Sequence, residues 1–504
     1  MKRLVGMVVF LIIIGAALLA YAENVEKFTS GDFTYAVAED GSATIMYYTG
    51  KSERVTIPAD LDGHPVNCIG DESFSVKREL KSVTIPDSIT SVGDNPWRFC
   101  ENLTSIVVSP KHPTLAVIDG ALYSKPDKRL IWVSMSAKGS FEIPHGINNI
   151  GYGAFFSCEN LTSIIIPNTV TYIGERAFFG CESLSVITIP GSVAVIDDEA
   201  FDSCKNLTTI MLEEGIISIG EYAFNDCKKL TTIMIPESLT TIGDYAFCNC
   251  ICLNNFTIPE NVSNIGANPW LGCEKMTNLS VSLWNPAYII IDRVLYSKVN
   301  VRLIWAPRNI KGSFEIPFGV QIIGNWAFDA CINLNSLTIP ETVNTIGIGA
   351  FSDCNSLVSI IIPDSVTTIG DYAFSNCWDL KSITIPDGVN TIGEFSFAYC
   401  YSLASVTTPA SITTIGERAF SSCYNLTNIM IPDSITVIGS YAFYGCESLE
   451  NITIPNSVTD IGYAVFDECP NLIITVNEGS YAEQYCIRKK LSYQYPNSLD
   501  WLND

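Results

Sequence analysis

Apolar and polar residues alternate along this chain in short segments that recur at a fixed distance. The segment from Leu161 reads LTSIIIPNTVTYIGERAFFGCES, and the next, from Leu184, reads LSVITIPGSVAVIDDEAFDSCKN. The same frame, L-x-x-I-x-I-P-x-S-V-x-x-I-G-x-x-A-F-x-x-C-x-x, returns from Leu357 and from Leu426. The period is 23 residues, marked by cysteines at positions 158, 181, 204, 227, 250 and 273 and again at 331, 354, 377, 400, 423, 446 and 469. Such self-similarity is the signature of a repeat architecture.

Each part of the frame predicts one piece of a coil. The alternation in L-x-x-I-x-I predicts a short strand with one face inward. Proline then ends the strand, because it has no amide hydrogen for a ladder. The A-F pair predicts a tight or helical turn that places one phenylalanine per coil in the interior. A single 23-residue unit buries too little to fold alone, so we expect stacked coils with a continuous core.

This frame resembles the leucine-rich repeat, and more narrowly the 23-residue BspA-like class of bacterial surface and secreted proteins. The resemblance covers roughly residues 55–480. It implies a repeat solenoid, a curved right-handed superhelix with a parallel β-sheet on one face and short helical turns on the other. The chain departs from the common pattern where asparagine is usual. A ladder of hydroxyl groups is predicted there instead, from Ser192, Ser238, Ser365, Ser411, Ser434 and Ser457.

A longer period indicates an internal duplication. The spacing between frame cysteines widens to 58 residues from Cys100 to Cys158 and again from Cys273 to Cys331. Two 35-residue inserts, at about residues 109–143 and 282–316, account for this. The segments that match at an offset of 173 are Asn95–Trp97 with Asn268–Trp270, Leu122–Lys125 with Leu295–Lys298, and Arg129–Trp132 with Arg302–Trp305. Each insert is a hairpin or a degenerate coil, and is either a structural irregularity or a projecting loop used in recognition.

The two ends differ from the repeats. Lys2 and Arg3 precede an apolar run that ends in Ala20-Tyr21-Ala22, which predicts a secretory signal peptide over residues 1–22. The alternative is a membrane anchor, although the run is short for a bilayer span. Residues 23–54 are predicted to form an N-terminal cap with a hairpin around Asp40-Gly41. The solenoid then spans residues 55–471, and residues 472–504 form a C-terminal cap with a short helix near Ser480–Lys490.

Composition narrows the function. The 504 residues include 53 acidic and 29 basic side chains, a net charge of −24, so we expect no nucleic-acid partner. The three histidines and the absence of hydrolase, zinc-protease, phosphate-loop or calcium-loop motifs predict that the protein is not an enzyme and holds no cofactor or metal. Acids that recur with the frame, among them Asp364, Asp371, Asp387 and Glu394, indicate solvated turns rather than a catalytic carboxylate pair.

Because the chain is predicted to be exported, its eighteen cysteines raise the question of whether they form disulfides. Neighbouring coils stack at about 4.8 Å, within the Cα range of a disulfide. Equivalent side chains point the same way, however, so their Cβ vectors do not converge. We therefore predict that the frame cysteines, with Cys100 among them, are buried free thiols used in packing. The run Cys248-Asn-Cys250-Ile-Cys252 has too few further ligands for a metal site.

In eleven copies of the frame, the fifth position is predicted to lie on the outward face of the strand. Neither this position nor the third carries a charged residue in any of the eleven. We predict a candidate binding strip at the fifth position, consisting of Ile165, Thr188, Met211, Met234, Thr257, Thr338, Ile361, Thr384, Thr407, Met430 and Thr453. Small and β-branched residues also suit any sheet surface, so the strip is either ordinary sheet surface or a binding site.

The sequence thus predicts a secreted, periplasmic or cell-surface protein that binds an extracellular or envelope protein or glycan. The resemblance implies adhesin-like roles, namely surface attachment, host-matrix protein binding or coaggregation. We expect a monomer with no membrane span after signal cleavage. The alternatives are a structural or scaffolding protein of the cell envelope without a dedicated ligand, and a hydrolase acting on extracellular polymers.

Overall fold

The computed structural model of the protein describes residues 26–496. The predicted signal peptide, the first residues of the N-terminal cap and the last residues of the C-terminal cap lie outside the described residues. Within these residues the chain divides into two compact units, one ending at Leu230 and the other beginning at Thr231. The regular secondary structure of both units consists almost entirely of short strands, which turns connect.

The first unit begins with antiparallel strands and continues with mostly parallel ones. Its strands are β1 Lys27–Ser30, β2 Phe33–Val37, β3 Ala43–Tyr48, β4 Arg54–Thr56, β5 Asp60–Leu61, β6 His64–Ile69, β7 Ser82–Thr84, β8 Ser91–Val92, β9 Ser105–Val107, β10 Leu115–Ile118, β11 Ala121–Ser124, β12 Arg129–Trp132, β13 Lys138–Glu142, β14 Asn149–Ile150, β15 Asn160–Ile165, β16 Tyr172–Ile173, β17 Val186–Ile189, β18 Val195–Ile196, β19 Thr209–Leu212 and β20 Ser218–Ile219.

The second unit repeats the same arrangement and ends in a helix and a last strand. Its elements are β21 Thr232–Met234, β22 Thr241–Ile242, β23 Asn255–Ile258, β24 Asn264–Ile265, β25 Asn278–Val281, β26 Tyr288–Ile291, β27 Val294–Ser297, β28 Arg302–Trp305, β29 Lys311–Glu315, β30 Ile322–Ile323, β31 Asn333–Thr338, β32 Thr345–Ile346, β33 Ser359–Ile361, β34 Thr368–Ile369, β35 Ser382–Thr384, β36 Thr391–Ile392, β37 Ser405–Thr407, β38 Thr414–Ile415, β39 Asn428–Ile429, β40 Val437–Ile438, β41 Asn451–Ile454, β42 Asp460–Ile461, β43 Ile473–Val476, α1 Tyr481–Lys489 and β44 Tyr493–Gln494.

The L-x-x-I-x-I segments form parallel sheets, as the alternation predicts. In the second unit, β29, β31, β33, β35, β37 and β39 lie side by side. Their register follows the 23-residue period, with Ser382 opposite Ser405 and Thr384 opposite Thr407. The inward residue between them, Ile383, is buried. The repeat solenoid of stacked parallel strands is therefore present.

Each regular coil also contains a second strand, which the sequence pattern did not predict. The residue pair just before the frame glycine forms a two-residue strand that pairs in parallel with its counterpart, for example Tyr172 with Val195 and Ile173 with Ile196. In the second unit β36, β38, β40 and β42 form such a sheet. Two residues are too few to show an alternation, so the pattern gave no strand signal here.

The third side of the coil is a ladder of tight turns and not the short helical turns that the resemblance implied. The amide of Ala177 donates to Gly174, three residues earlier, at 3.1 Å, whereas the amide of Phe178 donates to Ala200 in the next coil at 2.7 Å. Arg176 and Gly180 have positive φ angles of 55° and 70°. An α-helix needs negative φ and bonds to the residue four earlier, so this alternation of partners excludes it.

Two ladders of side chains fill the interior between the sheets and turns. Phe155, Phe178 and Phe201 stack with ring centroids 4.9 and 4.7 Å apart. The predicted hydroxyl ladder is also present, because Ser192 Oγ donates to Val170 O at 2.6 Å and Ser411 Oγ to Val389 O at 2.6 Å. Ser365 and Ser434 bond in the same way. Ser457 differs, since its hydroxyl has no partner among the described residues.

The ends and the inserts break the parallel pattern. Strands β1, β2 and β3 are antiparallel, and β2 and β3 flank Asp40-Gly41. At the other end Ser480 caps α1, its hydroxyl accepting from the amide of Glu483 at 3.1 Å. Each insert is an antiparallel meander, β10–β11–β12 in the first unit and β26–β27–β28 in the second.

Candidate binding surface

The parallel strands align part of the predicted strip in each unit, whereas Ile165, Thr257 and Thr453 lie on strands of other sheets. In the second unit Thr338, Ile361, Thr384 and Thr407 lie on adjacent strands β31, β33, β35 and β37, and Met430 directly follows β39. Ten of the eleven strip residues are exposed, and Thr188 is half-buried. Among its large apolar side chains, Ile361 is 82% and Met430 69% exposed. An exposed row of this kind costs free energy in water unless something covers it.

In the first unit the strip lines a groove. The groove has a volume of about 550 Å³ and lies over β15 and β17. Ile165 and Thr188 line it, as do Ser163 and Val186 from the third frame position. Glu213 is the one charged residue on its wall. Methyl groups and hydroxyls together can contact either a polypeptide or a sugar.

A row of acids borders the strip in the second unit. Asp364 and Asp387 follow Ile361 and Thr384 by three residues, and both are exposed. Asp433 holds the same place beside Met430. The surface therefore pairs an uncharged strip with a negative margin, which favours a partner that carries positive charge beside its contact face.

Acids on the turns have a structural role beyond solvation. The carboxylate of Asp371 accepts the amide of Glu394 in the next coil at 2.8 Å, and Asp198 accepts the amide of Glu221 at 2.6 Å. The short aspartate at this position bridges two coils. The prediction of solvated turns was incomplete here, because the recurrence of the acids could not reveal a backbone partner 23 residues away.

The frame cysteines form a column of buried thiols. None of the eighteen cysteines, which all lie within residues 26–496, forms a disulfide. The Sγ atom of Cys377 lies 3.2 Å from Phe351 O, and that of Cys400 lies 3.1 Å from Phe374 O, so each thiol donates to a carbonyl of the coil before. Burial raises the pKa of Cys400 and of Cys181 to about 12. These groups are packing elements rather than nucleophiles, since the thiolate is the reactive form.

We expect this column to be chemically silent in the folded protein. At pH 8 a thiol with a pKa near 12 is ionised to on the order of one part in ten thousand. Titration of the native, never-reduced protein with a disulfide reagent should detect only the half-buried Cys68, Cys252 and Cys469. After denaturation the same reagent should detect all eighteen; a denatured protein with almost no thiols would show that the column is cross-linked instead.

Groups that could support other chemistry have structural partners. Within residues 26–496 no cluster of three or more His, Cys, Asp and Glu side chains is arranged to hold a metal ion. Cys252 points toward Lys275 Nζ at 3.7 Å rather than toward a ligand set. His112 is buried, with Nε2 3.0 Å from Pro86 O, and its Nδ1 accepts the amide of Leu115 at 3.1 Å. These hydrogen bonds of His112 hold the start of the first insert in place.

Comparison with known proteins assigns the family. The family described as the BspA type leucine rich repeat region matches the chain in six copies, over residues 43–124, 136–250, 194–311, 308–427 and 413–492. The chain belongs to this family. Membership in the BspA-type family accounts for the 23-residue frame and the stacked strands. A search of the curated proteins gives no significant match.

Three solved structures of bacterial proteins are similar to the chain. A leucine-rich repeat protein from Eubacterium ventriosum is 27% identical, with 71% of this chain and 93% of that chain covered and a TM-score of 0.57. A leucine-rich cell surface protein from Faecalibacterium prausnitzii is 29% identical, covering 92% and 97% of the two chains, with a TM-score of 0.42. The pneumococcal vaccine antigen PcpA is 18% identical over 94% and 99%, with a TM-score of 0.42.

Of the helices between residues 26 and 496, none has the length and apolar character needed to cross a bilayer.

Proposed function

We propose that this protein is an exported binding protein that holds another macromolecule, a protein or a glycan, on the uncharged strip of its strands. The observation that carries the proposal is the row Thr338, Ile361, Thr384, Thr407 and Met430, which neighbouring strands hold in register and leave exposed. Export is supported by the basic residues and apolar run at the N-terminus. Such a protein suits an adhesin-like role at the cell surface.

We assign binding, and no catalysis, to the strip and its acidic margin. Acids such as Asp387 and Glu394 recur with the frame, and Asp371 is occupied by a backbone amide. A catalytic pair needs two groups set apart from their neighbours by environment. Asp364, Asp387 and Asp433 recur at one frame position and are all exposed, which supports a recognition role for the margin beside the strip.

The test introduces charge into the middle of the strip. Thr384→Lys combined with Thr407→Lys should weaken binding at least tenfold, because a partner resting there would desolvate two ammonium groups. Both side chains are exposed in the free protein, so stability should change by less than about 0.5 kcal/mol. Binding is measured against immobilised matrix proteins and cell-envelope polysaccharides, and stability by thermal melting.

The matched control places the same charge outside the strip. Glu394→Lys lies on the turn side of its coil and should leave binding within about twofold. Asp371 is unsuitable as a control because its carboxylate bonds to the amide of Glu394. If no tested polymer binds, or if the strip variant binds as the parent does, the structural scaffold becomes the better assignment.

A further inference from the structure

The two inserts share one backbone design, so each residue of the second can be compared with its counterpart in the first. The meanders β10–β11–β12 and β26–β27–β28 pair in equivalent registers. Strands β12 and β28 then pair in parallel with β14 and β30, with Arg129 opposite Asn149 and Arg302 opposite Ile322. Arg129 and Arg302 are 173 residues apart in the sequence. Their backbones therefore have equivalent places in the two copies.

Arg129 of the first insert is held by two carboxylates. Its Nη1 atom lies 3.0 Å from Asp94 Oδ1, and its Nε atom lies 3.3 Å from Asp127 Oδ2. Its Nη2 atom donates to Val92 O at 2.8 Å. Only 20% of the Arg129 side chain is exposed. A guanidinium that is withdrawn from water to this extent needs carboxylates to compensate its charge.

Arg302 of the second insert lacks both carboxylates. Ala267 stands where the first copy has Asp94, and Asn300 stands where it has Asp127. Arg302 is half-buried, its Nε atom is buried without a partner, and it makes no hydrogen bond or ion pair with any residue that the structure describes. Burial lowers the pKa of this guanidinium, so its charged form is short of compensation.

The acid that remains beside Arg302 does not replace the missing carboxylates. The charge of Asp244 acts on Arg302, but its carboxylate accepts the amide of Ala267 at 2.8 Å. Its counterpart Asp71 accepts the amide of Asp94 at 2.7 Å in the first copy. This acid has the same role in both copies, and the first copy holds its arginine with two further carboxylates.

Negative charge is scarce around this part of the second insert. Glu175 and Asp197, two acids of the coils that follow the first insert, correspond to Ile348 and Gly370 after the second. Residues 282–316 carry five basic and two acidic side chains, although the whole chain has a net charge of −24. Acids farther away than a Debye length of about 8 Å are largely screened at physiological salt. The second insert can therefore attract an anion on an otherwise acidic protein.

We propose that Arg302 binds a carboxylate supplied by another molecule, an aspartate or glutamate side chain of a partner polypeptide. The first insert shows which group this place takes, because two aspartate side chains occupy it there. A segment with neighbouring acids can supply both carboxylates to the fork of N–H donors that a guanidinium presents. Arg302 lies on β28, in a different sheet from the strip on β31–β39, so this site does not depend on the proposed function.

The experiment observes Arg302 directly by NMR in the full chain labelled with ¹⁵N-arginine. The Nε–H signal of Arg302 is identified by its loss in Arg302→Lys. Titration with the blocked peptide Ac-DDD-NH2 at constant ionic strength should shift this signal saturably, whereas Ac-NNN-NH2 should leave it in place. N-acetylaspartate amide, which has one carboxylate, should bind at least tenfold more weakly than Ac-DDD-NH2. The signal of Arg129 should not shift, because its carboxylates are already present.

Supplying the missing carboxylates within the chain should close the site. Ala267→Asp with Asn300→Asp gives Arg302 the two aspartates of the first copy. This variant should bind Ac-DDD-NH2 at least tenfold more weakly and should melt at a higher temperature than the parent. The matched control, Leu283→Asp with Phe318→Asp, adds two acids to side chains that are 95% and 84% exposed. It should bind the peptide within about threefold of the parent.

The opposite results would each overturn the proposal. An Arg302 signal that ignores Ac-DDD-NH2, or that responds equally to Ac-NNN-NH2, would show that no carboxylate binds there. Equal affinity for N-acetylaspartate amide would assign the site to free carboxylates and not to a polypeptide. Unchanged peptide binding or a lower melting temperature in the Ala267→Asp, Asn300→Asp variant would show that Arg302 has no place for the two aspartates.

Discussion

Replacing Phe374 with alanine is expected to lower the free energy of unfolding by about 3–5 kcal/mol. Phe374 is fully buried and stacks between Phe351 and Phe397, with ring centroids 5.3 and 5.4 Å apart. Truncation removes contacts with both neighbouring coils, and those coils are themselves held in place by the sheets and the turn ladder. The cavity cannot collapse easily, which puts the cost at the high end for a core residue. Urea denaturation followed by circular dichroism measures the change.

The matched control is a stacked ring on the turn surface. The ring centroid of Phe395 lies 4.7 Å from that of Tyr372, and the guanidinium of Arg418 lies over the Phe395 ring. Phe395 is half-buried. Phe395→Ala should cost only about 1 kcal/mol, the value of an aromatic contact without deep burial. Equal losses for the two variants would mean that the inner phenylalanine column contributes no more than surface stacking, and the description of the core would have to change.

The second large effect concerns the geometry of the turns. Asn376 has a φ of 59°, and its amide donates to Ala398 of the next coil at 2.8 Å. Asn376→Pro removes the donor and imposes a φ near −65°, so we expect a loss of about 3 kcal/mol or more. Hydrogen exchange of the neighbouring coil amides locates the damage, and urea denaturation gives its size.

Glycine and alanine at the same position give a test of sign. In a helix, alanine is more stable than glycine by roughly 0.5–1 kcal/mol. At a positive φ the order reverses, because glycine adopts this conformation freely and alanine does not. Asn376→Gly should therefore be more stable than Asn376→Ala, in keeping with glycine at the equivalent positions Gly180 and Gly445. The opposite order would favour the helical turn that the structure does not show.

The sequence predicts features that depend on neighbours within one coil and misses those that depend on the next coil. The strand of Ile383 and the buried Phe374 follow from local alternation and spacing. The ladder of turns does not follow from the local pattern. The amide of Phe374 donates to the carbonyl of Ser396 in the next coil rather than to a residue of its own turn. Likewise the carboxylate of Asp371 resembles any surface acid until the amide of Glu394 is placed above it. A partner 23 residues away leaves no local signature in the pattern.

The candidate sites divide in the same way. Alternation identified Thr384 and Thr407 as outward-facing, and the structure aligns them. The duplication located both inserts, but the pattern did not show that Phe318 and Val301 border one cavity with Ile289. That proximity depends on how a meander packs against the turn that follows it.

The exact register between coils also bears on how the gene can change. Ser336 lies opposite Ser359, and Ser382 lies opposite Ser405, so each coil offers its neighbour the same mating surface. Deleting one whole coil, such as residues 369–391, brings together two surfaces that already fit. Unequal crossing-over between repeats can thus lengthen or shorten the protein in steps of 23 codons without selection having to rebuild a core. The number of strands that carry the uncharged strip is then free to vary while the chain still folds.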